Sequence, residues 1–378
     1  MSKTLLPIGC YDLLPPYAGQ ESALSSALLS VFESFGYEQV SPPLLEFSDS
    51  LLSGRGAALS SQIFRVMDPG AHKVMGIRAD ITLQIVRIAA SRLADAPRPL
   101  RVCYNGLILR MQGEQLKGDR QLRQAGIELI GAKGADADAE VILVAAEALK
   151  RAGITQLSID LNLPGIVSAL LADATLDNDE IAKLFSAILH KDISAVRTFN
   201  FTYRDTLVAL MQSAGNADSA LAAIGKLSLP DKARTQLRDL KAVVGMLKAA
   251  GNPSWTLTVD ATESRGLDYH SGISFSIFVP GIACEVGRGG RYRIDTASGG
   301  EEATGFTLYV ETLRHLLPTA KRGKRIFVED GIRAKELSRL RDEGYITLLA
   351  LEEHGKSAEE AKRMGCGYIY KNGKVQSI

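Results

Sequence analysis

Residues 100–110 and 120–130 both alternate apolar and polar side chains with a period of two, and the polar stretch 112–119 lies between them. Two such runs joined by a polar link form a long antiparallel hairpin. On the second run Arg120, Leu122, Gln124, Gly126, Glu128 and Ile130 point one way, and Arg123, Ala125, Ile127 and Leu129 the other. From 124 to 129 one side is therefore apolar and packs. The other presents an amide, a bare backbone and a carboxylate. Two readings fit that side. It is a half-solvated strand with a bulge, or Gly126 lets a small ligand approach the backbone between Gln124 and Glu128.

Around the hairpin, helical and strand patterns alternate. Residues 18–35 place Leu24, Leu28, Val31, Phe32 and Phe35 on one helical face, and Gly36 stops the helix. A short strand at 37–40 ends at Pro42-Pro43. A helix starts after Asp80, with Ile81, Ile85, Ile88 and Arg92 at helical spacing. Another is expected at about 136–151, then a strand near 156–161. Residues 165–250 are rich in Ala and Leu and poor in strand signals, which predicts a helical insertion. Strand patterns return at 255–259, 273–279 and 282–286, with Pro280-Gly281 as a hairpin turn. Residues 305–313 read as a strand running into a helix. Lys321-Arg322-Gly323-Lys324 marks a linker, so the division expected is 1–320 and a small α/β unit at 321–378. In that unit 325–328 and 345–351 are strands, 332–342 and 357–364 helices, and Asn372-Gly373 a tight turn. The fold class expected is α+β: a mixed, mainly antiparallel sheet flanked by helices.

Composition narrows the function. The 378 residues are 46% hydrophobic, enough for two or three domains with a sizeable core. The 44 basic and 43 acidic residues nearly cancel, and no long Lys/Arg run announces nucleic acid or an anionic membrane. Cys10, Cys103, Cys284 and Cys366 lie far apart and form no zinc-spaced pair. No apolar run approaches the roughly 20 residues of a membrane span, and no signal peptide is evident. A cytoplasmic setting is expected, with no metal and no cofactor.

Candidate site residues cluster in a few places. Asp80, with Thr82 behind it, suits a helix N-cap or an ammonium partner. Arg110 ends the first hairpin strand, where it is a solvated charge or meets an anion. The run Glu263-Ser264-Arg265-Gly266-Leu267-Asp268-Tyr269-His270-Ser271-Gly272 packs a guanidinium, a carboxylate, a phenol and an imidazole into six residues. Arg265 can pair bidentately with a carboxylate, while Tyr269 and His270 can contact a ring. A local Arg265–Asp268 ion pair is the structural alternative. Gly287-Arg288-Gly289-Gly290-Arg291-Tyr292 is either a flexible turn or a loop that approaches a ligand, and it does not match a P-loop. His72, His190, His315 and His354 are isolated, and no Ser/His/Asp arrangement stands out.

Taken in order, these pieces resemble the catalytic domain of histidyl-tRNA synthetases, a class II aminoacyl-tRNA synthetase fold, over about 5–318. Gly36–Glu46 resembles motif 1. Ile77-Arg78-Ala79-Asp80-Ile81-Thr82 resembles the Leu-Arg-Pro-Glu-x-Thr segment that receives the ammonium group of histidine. Residues 110–131 resemble motif 2, and 265–272 and 289–292 resemble the two histidine signatures. Three of the departing positions bear on catalysis. Thr312 stands where motif 3 has an ATP-binding arginine. Gln112 replaces the acid of Phe-Arg-x-Glu, and Arg293 the aspartate after the second signature. Each lost charge-assisted contact removes roughly 2–4 kcal/mol of transition-state stabilisation. The C-terminal unit is about half the size of a synthetase anticodon-binding domain, so no tRNA is expected.

A family that keeps the histidine pocket and loses ATP chemistry is the regulatory subunit of ATP phosphoribosyltransferase, which this chain resembles along its whole length. That resemblance implies no catalytic residues, a short-form catalytic subunit as partner, self-association as a dimer within a larger hetero-oligomer, and L-histidine as allosteric ligand. It implies Asp80 and Thr82 for the ammonium. Arg265, Gln124 and Arg110 would serve the carboxylate, and Glu128, Tyr269 and His270 the imidazole. His270 stands where the synthetases have tyrosine. The alternative is an enzyme similar to histidyl-tRNA synthetase that activates histidine with ATP.

Overall fold

The computed structural model describes residues 5–52, 54–113, 118–263, 270–296, 299–317, 323–329, 334–351 and 357–378, with backbone alone at 54, 55, 58, 270 and 296. It separates into two compact units, Met1–Pro318 and Thr319–Ile378.

The strands of the first unit are β1 (Glu38–Gln39), β2 (Leu45–Phe47), β3 (Phe64–Asp68), β4 (Lys73–Ile77), β5 (Leu100–Leu109), β6 (Gln121–Ile130), β7 (Leu157–Asn162), β8 (Gly215–Asn216), β9 (Trp255–Asp260), β10 (His270–Phe278), β11 (Gly287–Thr296) and β12 (Gly299–Tyr309). Its helices are α1 (Tyr17–Ser34), α2 (Ser48–Leu51), α3 (Thr82–Ser91), α4 (Ala135–Arg151), α5 (Pro164–Leu170), α6 (Asn178–Leu189), α7 (Ile193–Val196), α8 (Arg204–Gln212), α9 (Ala217–Ile224), α10 (Asp231–Ala249) and α11 (Val310–Arg314). Nine strands form one sheet in the order β1-β5-β6-β12-β11-β10-β7-β9-β8. Only the β1/β5 and β7/β9 pairs are parallel. A second sheet, β2-β4-β3, has three strands.

The hairpin β5/β6 pairs Leu100 with Ile130 through to Leu109 with Gln121 without a slip. Its two faces divide as period two requires. Ala125, Ile127 and Leu129 join the large core beneath α1 and α4, and the insertion helices extend that core. Val102, Tyr104, Ile108, Leu122 and Ile130 lie on the opposite face under Ile81, the N-cap of α3, and Ile85 and Ala89 of α3. α4 is buried on nearly every side, which its alanines permit. Asp136 and Asp138 in its first turn and Lys150 and Arg151 in its last complement the helix dipole.

Several expectations change. The Gly-rich run 287–292 is neither a turn nor a loop; it opens β11, deep in the sheet. Glycine is needed there because a Cβ on Gly289 would stand 2.2 Å from the Gly305 carbonyl oxygen and 2.7 Å from Phe275. Residues 282–286 are not a strand: the chain rejoins the sheet only where the Val286 amide donates to the Ile277 carbonyl at 2.8 Å. α1 stops at Ser34, which leaves Phe35 outside the helix and 39% exposed. The β2-β4-β3 sheet was not anticipated.

The second unit comprises β13 (Lys324–Val328), α12 (Ala334–Asp342), β14 (Tyr345–Leu349), α13 (Ser357–Arg363), β15 (Tyr368–Lys371) and β16 (Lys374–Ser377). Its sheet runs β14-β13-β15-β16, with β16 antiparallel. Asn372 and Gly373 form the β15/β16 turn with φ of 50° and 76°, the left-handed pair a tight hairpin requires. Ile326 and Val328 pack against Leu340 of α12, and Phe327 and Ile369 against Ala361 of α13, so each face of the sheet has its own helix.

Candidate functional site

The sheet face under α3 carries an unusual density of buried polar groups. Gln124 is fully buried and Glu128 is 1% exposed, four residues apart on the same side of β6 with Gly126 between them. Such groups persist in a core only when their hydrogen bonds are made. The Gln124 amide donates to Asp80 Oδ2 at 2.8 Å, and its oxygen accepts the Ile81 amide at 3.0 Å. Asp80 Oδ1 accepts the Thr82 amide at 2.8 Å. Asp80 thus fastens the start of α3 and faces Gln124 at once. Both roles weighed from the sequence draw on one carboxylate. Each of its oxygens uses one of two lone pairs in these bonds, so acceptor capacity remains for a cation.

Register brings the rest. Glu128 pairs with Gly305 of β12, Gly126 with Thr307 of β12 and Tyr104 of β5, and Ala303 of β12 with Tyr292 of β11. The Tyr292 hydroxyl donates to Glu128 Oε2 at 2.8 Å. The Tyr104 hydroxyl lies 2.6 Å from the Thr307 hydroxyl and 3.4 Å from that of Thr82. A Cβ on Gly305 would fall 1.9 Å from Glu128 Oε2, so glycine makes room for the carboxyl group. The space beside Gly126 belongs to the protein: its Cβ would meet the Phe306 carbonyl oxygen at 2.1 Å and the Tyr104 hydroxyl at 2.6 Å. The idea that Gly126 admits a ligand to the backbone is therefore corrected; it admits Tyr104.

Electrostatics set Glu128 apart. Burial pushes its pKa up to about 8. Hydrogen bonds from Tyr292 and Thr82 oppose the shift, and the nearby Asp80 charge adds to it. Near neutral pH the group is mostly a carboxylic acid, able to donate a proton or to accept one after ionisation. Burial likewise raises the Tyr104 phenol well above its ordinary range, so it stays neutral.

Arg110 follows the end of β5. Its amide donates to the Arg120 carbonyl at 2.8 Å, and its Nε reaches the Ala79 carbonyl at 3.4 Å, one residue from Asp80. Asp80, Thr82, Arg110, Gln124 and Glu128 thus converge on one region. Arg265 and Tyr269 lie outside the described residues. His270 opens β10 with its Cα opposite that of Tyr292, and its side chain is also outside the described atoms. Tyr104 and Thr307 join the site unannounced, and Tyr292 enters it from the 289–292 run. At the departing positions, Thr312 is buried on α11 and Gln112 is exposed. Among the described residues no cluster of His, Cys, Asp or Glu is arranged to hold a metal, and no helix is long and apolar enough to cross a membrane.

Residues 9–313 match the family model described as histidyl-tRNA synthetase. A regulatory subunit of ATP phosphoribosyltransferase from Rhodospirillum centenum is 43% identical over 377 residues, covering 100% of this chain and 97% of the relative. One from Paramagnetospirillum magneticum is 45% identical, covering 97% and 95%. The chain belongs to the family of ATP phosphoribosyltransferase regulatory subunits. A solved structure from Bacillus halodurans, described as an ATP phosphoribosyltransferase regulatory subunit/histidyl-tRNA synthetase, superposes with a TM-score of 0.83 at 25% identity, covering 96% of this chain and 97% of that one. A histidyl-tRNA synthetase from Nostoc, at 19% identity and a TM-score of 0.78, shares the fold. The class II synthetase-like α+β architecture is therefore that of a regulatory-subunit family, with a buried carboxyl, amide and hydroxyl network on the face where the motif 2 strand lies.

Proposed function

We propose that this chain is a non-catalytic activator of a short-form ATP phosphoribosyltransferase catalytic subunit and senses L-histidine for feedback inhibition. The observation that carries the ligand reading is the convergence of two carboxyl groups with different hydrogen-bond partners on one region. Asp80, tied to Gln124 and the Thr82 amide, suits an ammonium group. Glu128, mostly protonated near neutral pH and bonded to Tyr292, suits a ring nitrogen that can donate or accept. In this reading Arg265, Gln124 and Arg110 take the carboxylate, and Tyr269 and His270 complete the imidazole contacts. Thr312 and Gln112 support the absence of ATP chemistry: a buried threonine hydroxyl and an exposed amide supply neither the cation nor the carboxylate that triphosphate binding uses. The working form is a dimer within a cytoplasmic hetero-oligomer, with no tRNA.

Histidine inhibits, in this account, by binding more tightly to the less active of two arrangements of the complex. Titration calorimetry with L-histidine tests the sensor claim, and histidine-dependent pyrophosphate–ATP exchange tests the rival. Heat of binding without exchange is expected. Exchange activity would establish the synthetase-like alternative, and a folded protein that binds no histidine would remove the sensor.

A further inference from the structure

Two residues before Asp80 the chain buries a cation. Arg78 is 6% exposed. Its Nε donates to the Leu107 carbonyl at 2.7 Å, and its Nη1 to the Pro42 carbonyl at 2.8 Å and to Gln84 Oε1 at 3.2 Å. The backbone makes matching bonds. The Arg78 amide donates to the Leu44 carbonyl at 3.1 Å, and the Leu109 amide to the Arg78 carbonyl at 3.0 Å. One residue thus ties together the chain before β2 and the end of β5. A buried guanidinium is costly unless its donors are used, and an apolar side chain would fill the same space without that cost.

Two neighbours are shaped around it. Gly106 of β5 pairs with Gln124 of β6. A Cβ on Gly106 would collide with Arg78 Nη2 and lie 3.3 Å from Cζ. The guanidinium therefore fills the space a side chain at 106 would take, beside the strand pair that carries Gln124. Gln84, in the first turn of α3 and 1% exposed, donates to the Pro43 carbonyl at 2.7 Å and to Glu46 Oε1 at 2.8 Å. With its nitrogen so engaged, its oxygen faces Arg78. Burial lowers the pKa of the guanidinium, and the Glu46 and Asp80 carboxylates act against that shift, so Asp80 lies within reach of this charge.

We propose that Arg78 is a positioning residue: its guanidinium fixes the backbone at 78–80 and so aims the Asp80 carboxylate at the ammonium subsite, without itself touching the ligand. Only Ala79, 2% exposed, separates the tether from Asp80. The proposal rests on the histidine-binding reading for its effect on affinity and on the geometry alone for its hold on Asp80.

Two variants disturb the tether differently. Arg78→Lys keeps the charge but loses the planar fork that reaches the Leu107 and Pro42 carbonyls together. Gly106→Ala keeps Arg78 and displaces its guanidinium, the far end of a flexible side chain. Val144→Ala, in the core beneath α4, controls for a general loss of stability. The Ile81 and Thr82 amides, bonded to Gln124 and Asp80, should exchange at least about tenfold faster in both tether variants, while β7 amides follow global stability alone. The control should leave the Ile81 and Thr82 amides in step with β7. In calorimetry both tether variants should bind L-histidine about tenfold more weakly. In an Asp80→Asn background, Arg78→Lys should cost less than about twofold, because the aimed carboxylate is already gone. Local exchange that only follows β7 in both variants overturns the proposal. So does an additive cycle, or unchanged affinity in variants whose parent binds. A parent that binds no histidine removes the ligand reading alone, and the exchange comparison then still decides the role of Arg78.

Discussion

Replacing Glu128 by glutamine isolates the most perturbed carboxyl group of the site. Unfolded, this group titrates near 4.5; folded, burial moves it to about 8. Between these values the folded chain retains a proton that the unfolded chain has released. Stability therefore falls as pH rises through that window, by about 1.4 kcal/mol per pH unit. From pH 5.5 to 7.5, wholly inside the window, the loss due to Glu128 is about 2.7 kcal/mol. Glutamine keeps the shape and does not titrate. Other groups titrate in both proteins and cancel in the difference. Urea unfolding of wild type and Glu128→Gln at the two pH values supplies the test. The wild type should lose about 2–3 kcal/mol more than the variant over this interval. Parallel pH dependences would refute the reasoning, because they would mean that Glu128 is already ionised in the folded state.

Three further outcomes are expected. Gly126→Ala forces a Cβ against the Phe306 carbonyl oxygen and the Tyr104 hydroxyl, and should cost about 3 kcal/mol or more in chemical denaturation, with no relief from shortening exposed side chains. Arg291→Met strands Asp138, which is 4% exposed and held by Arg291 Nε at 3.1 Å; a loss of about 3–5 kcal/mol should appear as a lower thermal midpoint, partly recovered by Asp138→Asn in the same chain. Thr312→Arg restores the side chain of motif 3 at a position 5% exposed, and should lower the thermal midpoint while giving no pyrophosphate–ATP exchange.

How far the site could be read before the structure depends on where its information lies. Gln124 and Glu128 were legible because alternation along a single strand assigns faces directly. Asp80 was legible as a residue at the start of a helix, although the N-cap itself is Ile81 and Asp80 precedes it. Tyr104 and Thr307 were not, because they reach the site through cross-strand register, set by pairing of β6 with β5 and β12; Tyr292 was marked by the 289–292 run, but its bond to Glu128 depends on the pairing of β12 with β11. The even residues of β5, including Tyr104, share the Glu128 face, and that signal was available. The 287–292 run misled because its glycines look like a turn, whereas crowding by Gly305, Phe275 and Phe306 demands Gly289 within a strand. Asp68-Pro69-Gly70 marked the turn between β3 and β4, yet these strands were missed: alternation is blurred because neither face of β3 is well buried, with Val66 and Met67, on opposite faces, 47% and 60% exposed. The helical insertion was readable as helices, but nothing local in Lys191 pointed to the ion pair its ammonium makes with Asp260 of β9 at 2.6 Å.

The central claim is that one chain both activates a catalytic partner and reports histidine to it. Its most direct test is the rate of phosphoribosyl transfer by a short-form ATP phosphoribosyltransferase, measured alone, with this chain, and with this chain plus L-histidine. The account predicts that the chain raises the rate, that histidine lowers it again, and that Asp80→Ala keeps the activation while shifting the histidine response to higher concentration. A rate indifferent to the chain, or an activated rate that histidine leaves untouched, would contradict it.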